Sequence, residues 1–356
     1  MDIWVLDEEL RALGLLDHYQ TLLWNDRYQG YGDFEIKAPA TEENIARLTI
    51  DRYLVRSDSE HAMVIEDIRV ATGQDGDYIQ ISGRSAESFL ERRVIPKQTV
   101  VSGSFQNGVQ KLLRENLIAP SDQAREYERL VFQVSSDPAV MAPTLDTQFL
   151  GDNLYDVIQS GCSVNGLGFR MVLKDTTFFF SLYAGKDRSF QQTENPYVIF
   201  SPGFDNLISS DYEESVKDSR NFCYAVGEGS EGGSVVVEAY QGKSAPTGLK
   251  RRELYAEISG ASPKTDDGAI TEQEYLAQLK ERGLEELEDN APTKRFEAEA
   301  DTVMMFRYGV DFFLGDIVQV ENEHGIKARA RVSEIVTTHD ESGLSVYPTF
   351  TFLEEE

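Results

Sequence analysis

The stretch Ile326-Lys327-Ala328-Arg329-Ala330-Arg331-Val332 alternates apolar and basic residues without a break. Successive side chains of a strand point to opposite faces, so Ile326, Ala328, Ala330 and Val332 bury one face while Lys327, Arg329 and Arg331 share the other. The same period recurs in Phe34, Ile36 and Ala38 against Glu35 and Lys37, and in Phe296, Ala298 and Ala300 against Glu297, Glu299 and Asp301. Turn-forming clusters separate such runs. Residues 73–77 divide an apolar run at 63–70 from 78–81, and residues 340–343 divide 332–336 from 344–347. Residues 309–320 read as a loop entering a strand, and 348–353 as a final strand. The fold class expected is mainly β with α+β insertions.

Helices are fewer. Ser85 before 86–93, Asn107 before 108–115, and Asp152 or Asn153 before 154–162 read as caps of short helices. Thr271 with Glu274 three residues on forms a capping box, and Leu276, Leu279, Gly283, Leu284 and Leu287 make one stripe ending near Asn290 and Pro292. That stripe reads as packing against a sheet, with a partner-binding helix as the alternative. Residues 259–268 form a polar loop and mark a boundary or surface excursion. No fixed-period repeat and no low-complexity tract occurs. The division expected is a first β unit at 1–95, a mixed α/β unit at 96–200, a second β-rich unit with the late helix at 201–295, and completing strands at 296–356.

The 356 residues carry 34 Lys plus Arg against 62 Asp plus Glu, a net charge of −28. Such a surface repels polyanions, which argues against sequence-specific nucleic-acid binding and attachment to anionic membranes. It suits a conduit, because a duplex slides past walls that do not grip its phosphates. No basic and apolar leader opens the chain, and no run of about 18 apolar residues occurs. Cys162 and Cys223 are too few for a disulfide framework and read as small buried hydrophobes.

Catalytic patterns fail on context. Gly227-Glu228-Gly229-Ser230-Glu231-Gly232 has the letters of a dinucleotide loop, yet residues 234–240 read as a strand where a helix N-terminus must follow, and two glutamates would repel phosphate. A glycine hairpin is the better reading. His18, His61, His324 and His339 are scattered, without metal-ligand spacing. No Gly-x-Ser-x-Gly elbow exists. Asp75-Gly76-Asp77 and Asp266-Asp267-Gly268 stop short of a calcium loop and read as turns. No catalytic, cofactor or metal residue is assigned, and the chain reads as a non-enzyme.

Within this acidic chain the basic row Lys327, Arg329, Arg331 and the acidic row Glu297, Glu299, Asp301 are mirror images. If their strands share a sheet, or meet across a subunit boundary, the rows can pair, each couple contributing roughly 0.2–1 kcal/mol. Ordinary solvation and phosphate contact are the other readings.

Several motifs in order resemble one family. They are Gly32-Asp33-Phe34-Glu35-Ile36, Gly83-Arg84-Ser85 before Leu90-Glu91-Arg92-Arg93, Asn195-Pro196-Tyr197 before Phe200-Ser201-Pro202 and Phe204-Asp205-Asn206, then Gly315-Asp316-Ile317-Val318 and Tyr347-Pro348-Thr349-Phe350. Together with the 326–332 strand they resemble the hub-like tail proteins of long-tailed phages and prophages of Gram-positive hosts, over about 3–352. The resemblance implies a structural virion protein at the tail tip, assembled in the host cytoplasm. It implies two β-barrel tube domains per subunit with smaller α/β domains between them, and a homotrimer whose six barrels continue the tube ring around a channel for DNA. Its partners would be tail-tube, distal-tail and tape-measure proteins and downstream fibre or receptor-binding proteins. The family supplies no catalytic residues. With the last strand ending close to Glu356, no appended hydrolase or fibre domain is expected. Two competing readings are a cell-wall hydrolase using an Asp/Glu pair and a carbohydrate-binding receptor with Tyr28, Tyr31 and Phe34 along a groove, although strand packing is the commoner use of such aromatics.

Overall fold

The computed structural model describes residues 1–356 except 74–75, 230–232, 260, 266–267, 301–304, 326 and 354–356; at 73, 208–210, 264–265, 268–269 and 294–300 it describes the backbone alone. The first unit comprises β1 (Ile3–Leu6), β2 (Ala12–Leu15), β3 (Thr21–Arg27), β4 (Asp33–Pro39), α1 (Glu42–Arg47), β5 (Tyr53–Arg56), β6 (Ala62–Gly73) and β7 (Gly76–Ser85). These strands run in the order β3-β4-β7-β6-β5-β1-β2, every neighbouring pair antiparallel. The period-2 reading of β4 holds, with Phe34, Ile36 and Ala38 buried and Glu35 exposed. They join Trp24, Leu54, Ile65 and Ile81 in one apolar cluster.

The middle unit contains β8 (Thr99–Val101), α2 (Phe105–Leu113), β9 (Leu130–Phe132), α3 (Pro138–Met141), β10 (Thr147–Phe149), α4 (Leu154–Val164), β11 (Gly168–Lys174) and β12 (Thr177–Tyr183). Its cluster, including Phe105, Leu112, Phe169, Phe178 and Phe180, extends onto Tyr53 and Val64 of the first sheet, so the unit is packed against strands β5 and β6. Asn153 caps α4 through its side chain, which accepts from the Tyr155 amide. Residues 86–92 form a 3-10 turn, not an α-helix. The α2 helix starts after Ser104, earlier than Asn107, because Phe105 already fills the buried face.

The remainder comprises β13 (Ile199–Phe200), β14 (Leu207–Ser215), β15 (Phe222–Glu228), β16 (Ser234–Ala239), β17 (Glu253–Glu257), β18 (Lys264–Thr265), β19 (Gly268–Ala269), α5 (Glu272–Asp289), β20 (Thr293–Ala300), β21 (Ile317–Glu321), β22 (Lys327–Asp340) and β23 (Gly343–Phe352). β15 and β16 pair antiparallel, so a strand and not a helix follows the glycine segment, of which residues 230–232 lie outside the described residues. The capping box of α5 is formed in both directions by Thr271 and Glu274, and the helix packs Tyr275, Leu279, Gly283 and Leu287 onto β15, β16 and β17. Leu276 and Leu284 lie at the edge of that face, half-buried.

Strand β22 organises the whole molecule. It pairs with β21 along Lys327 to Arg331, with β3 along Glu334 to His339, and with β23 over both parts. A bulge between Val332 and Glu334 separates the two halves. One extra residue reverses which side chains point inward. Ala330 and Val332 are buried before the bulge; Ile335 and Thr337 are buried after it. One strand thereby places Ala330, Val332 and Ile335 in a second cluster, with Val198, Phe200, Phe312, Val318 and Phe350, and completes the sheet of the first. The combined 13-stranded sheet runs from β14 to β2, with β21 and then β13 branching from β22, and no closed barrel is found among the described residues.

Candidate functional site

The three units meet at Tyr28, one residue beyond β3. Its ring is fully buried, and its hydroxyl is shared between the carbonyls of Gly166 and Tyr183 at 3.1 and 3.2 Å while accepting from the Gly185 amide at 3.3 Å. Burial pushes the phenol up. Two glycines make room for it. A Cβ on Gly168 would stand 2.3 Å from the Tyr28 ring and one on Gly315 2.2 Å from it, and Gly315 also has φ +92°. Segments from Gly166, 138 positions away in sequence, to Gly315 are thus clamped on one phenol ring.

The basic row faces this junction. The Arg331 guanidinium lies 5.1 Å over the Tyr28 ring and donates to the Gly315 carbonyl at 3.1 Å. Arg329 donates to Asp187 at 2.7 Å, and Lys327 pairs with Glu321 at 2.9 Å. Burial pushes Asp187 up, but hydrogen bonds from Ser189 and the Arg329 charge outweigh it and hold the carboxyl below its ordinary range. Beside it, the buried Asp316 accepts from Arg188 at 2.6 Å, from the Lys186 amide at 2.7 Å and from the Phe313 amide at 3.1 Å. The charged face of β22 therefore binds the 184–189 loop that follows β12.

The acidic row lies elsewhere. Glu297 sits opposite Asp211 of β14 on one side and Thr349 of β23 on the other, and Glu299 opposite Ser209. Since β23 runs between β20 and β22, the two rows are not neighbours in the sheet. Asp301 falls outside the described residues. Asp187 and Tyr28, the partners the basic row does find, carry no local signal in the sequence. Glu321 does carry one, because the Asn322 to Gly325 turn sets it opposite Lys327.

A buried ion pair crosses the seam between the first and middle units. His61, just before β6, bridges to Val172 of β11, and its Nδ1 lies 3.0 Å from Glu87, which also accepts from the Met171 amide at 2.6 Å. Burial drives the imidazole down, but Glu87, Asp26 and Glu60 together hold it up at about 9. Burial likewise drives Glu87 up, and His61 with its hydrogen bonds holds it below the usual range.

Next to His61 opens a cleft of roughly 410 Å³, lined among others by Asp58, Glu60, Arg170, Lys186 and Phe313. Its carboxylates are engaged: Asp58 pairs with Arg56 and Glu60 with Arg170. The proposed groove aromatics are not on show, since Tyr28 and Phe34 are buried and Tyr31 packs 5.0 Å from Tyr155. Among the described residues no group of three or more His, Cys, Asp or Glu is placed to hold a metal, and no helix is long and apolar enough to cross a membrane. Both cysteines are buried, and burial pushes the Cys223 thiol up to about 11.

Comparison with known proteins fits this architecture. The model of the siphovirus ReqiPepy6 Gp37-like protein family matches residues 2–350. The chain belongs to this family. As a phage tail protein, it is a structural component of the virion tail. Its fold is shared with a tail protein from Neisseria meningitidis MC58, at 15% identity and TM-score 0.58 over 98% of this chain and 96% of that one. It is shared equally with the prophage tail protein gp18 from Listeria monocytogenes EGD-e, at 11% identity and TM-score 0.56 over 100% and 96%. The 43 kDa tail protein of prophage MuSo2 from Shewanella oneidensis gives 11% identity and TM-score 0.58 over 99% and 98%. No curated protein matches the chain.

Proposed function

We propose that this tail protein is the hub subunit at the tail tip, closing the tail tube and joining it to the host-attachment apparatus. The observation that carries the reading is the sharing of β22: two β lobes, each with its own apolar cluster, are joined by one bulged strand into a rigid pair. Three such pairs supply six lobes, the number a six-fold tube ring requires. A net charge of −28 gives the channel wall no tendency to hold phosphate. The concentrated basic row supports the same reading, because its charges are spent on Asp187, Glu321 and Tyr28.

In this reading the acidic row Glu297, Glu299 and Asp301 meets a neighbouring subunit, and the open sheet ends at β2 and β14 are completed by assembly into barrel-like walls. Tail-tube and distal-tail proteins meet one rim of the trimer, the tape-measure protein meets its lumen, and fibre or receptor-binding proteins meet the far side. The protein catalyses nothing. The hydrolase reading draws no support from the cleft, whose Asp58 and Glu60 are tied up in ion pairs. Particle mass in solution and symmetry by electron microscopy, with and without the cognate tube protein, test the proposal. A ring-shaped trimer with a central hole wide enough for a duplex supports it; a strict monomer under both conditions sinks it.

A further inference from the structure

The 222–289 lobe stands apart from the rest of the chain. It is inserted between β14 and β20, whose ends are neighbours: Ser215 is opposite Thr293, and the Arg220 amide donates to the Asn290 carbonyl at 2.7 Å. Both tethers therefore leave the main sheet side by side, as a neck. The lobe has an apolar cluster of its own, built on Cys223, Ala225, Tyr275 and Leu279 and separate from that of the middle unit. What holds it down is a polar seam. Arg282 of α5 donates to Asp152 at 2.7 Å and lies 5.0 Å over Phe149, while the Gln148 amide donates to Gln278 at 2.8 Å and to the Ser262 carbonyl at 2.9 Å.

The seam is crowded with carboxylates. Glu285 stands 3.5 Å from Arg282 with its side chain only 15% exposed. Glu281, Asp289 and Glu286 of α5 and Asp152 at the start of α4 surround the same guanidinium or Glu285 itself. Asp156 of α4 and Asp146 before β10 add charge to Asp289 and Glu281, and Glu91 adds charge to Asp156. Among the described residues, Arg282 is the one cation in this set. We propose that the 222–289 lobe is a hinged flap, that the α4–α5 contact is its latch, and that protons close the latch while their loss opens it.

The chemistry sets the direction. Burial pushes Glu285 up to about 7, with Arg282 pulling it back and Glu281, Asp152 and Asp289 adding to the rise. Burial also raises Glu281, Asp156 and Asp289. The docked lobe keeps protons that a released lobe gives up, so docking is strongest below 4.5 and weakens as pH rises through about 7. The apolar cores on either side carry no such titration and stay folded.

Hydrogen exchange of the full chain, read by mass spectrometry at pH 5.5 and 8 with intrinsic rates corrected, tests this. Protection of the β10, α4 and α5 segments that face the seam is expected to fall by up to about tenfold per pH unit over the titrating interval, while β6 and β7 keep theirs. Glu285→Gln is expected to hold the seam closed at pH 8. X-ray scattering, in which an open flap enlarges the particle, reads the wild type alone should that variant fail to fold. Equal seam protection at both pH values, loss spread uniformly over the chain, or an unaltered pH response in Glu285→Gln would each overturn the proposal.

Discussion

Two seams of this molecule both bury carboxylates, and they behave oppositely. At the His61–Glu87 seam the carboxylate meets an imidazole directly and a backbone amide, and it is held below its ordinary range. At the α4–α5 seam a single guanidinium serves several acids, and burial wins: Glu285 rises to about 7. Direct hydrogen-bond partners for the carboxylate, more than burial as such, decide whether a seam is a rivet or a catch.

The sharpest way to break the comparison is to remove one member of the rivet. Glu87→Ala leaves His61 buried, 5% exposed, without its partner, and urea unfolding is expected to show a loss of about 3–5 kcal/mol. His61→Leu with Glu87→Leu removes the pair altogether and is expected to recover a large part of that loss. Tyr28→Phe, which strands the carbonyls of Gly166 and Tyr183, is expected to cost about 1–3 kcal/mol in the same assay.

The pH dependences separate the seams without any substitution. His61 is raised, so its contribution is complete below its unfolded value near 6.5 and is lost as pH climbs through about 9. The α4–α5 contribution is lost earlier, between 4.5 and about 7. Thermal melts across pH 7 to 9 are accordingly expected to fall through His61, and those of a His61→Leu, Glu87→Leu protein to fall less. The smallest effect belongs to Lys327→Ala: its pair with Glu321 is 63% exposed on the lysine side, and the change in stability is expected to stay within about 0.5 kcal/mol.

Much of the local structure was legible in the sequence because it depends on near neighbours. The capping box of Thr271 and Glu274, the 340–343 turn closing β22 onto β23 and the antiparallel pairing of β15 with β16 each need only a few adjacent residues. The seams were not legible. His61 and Glu87 are 26 positions apart, and Gly315 is a glycine because of Tyr28. The basic row of β22 was expected to match the acidic row of β20, but periodicity gives a strand's faces and not its neighbours, so Asp187 could not be found by pattern. The bulge after Val332 is equally silent, since one shifted residue looks like noise in an alternating run.

That bulged strand also sets a timetable. Tyr19 and His339 hydrogen-bond across 320 positions, and β3 has no partner on one side until β22 arrives. During synthesis the free edge of β3 waits while nearly the whole chain emerges behind it. Closure over so long a loop is slow, and an unpaired strand edge is an invitation to the wrong neighbour in the interval.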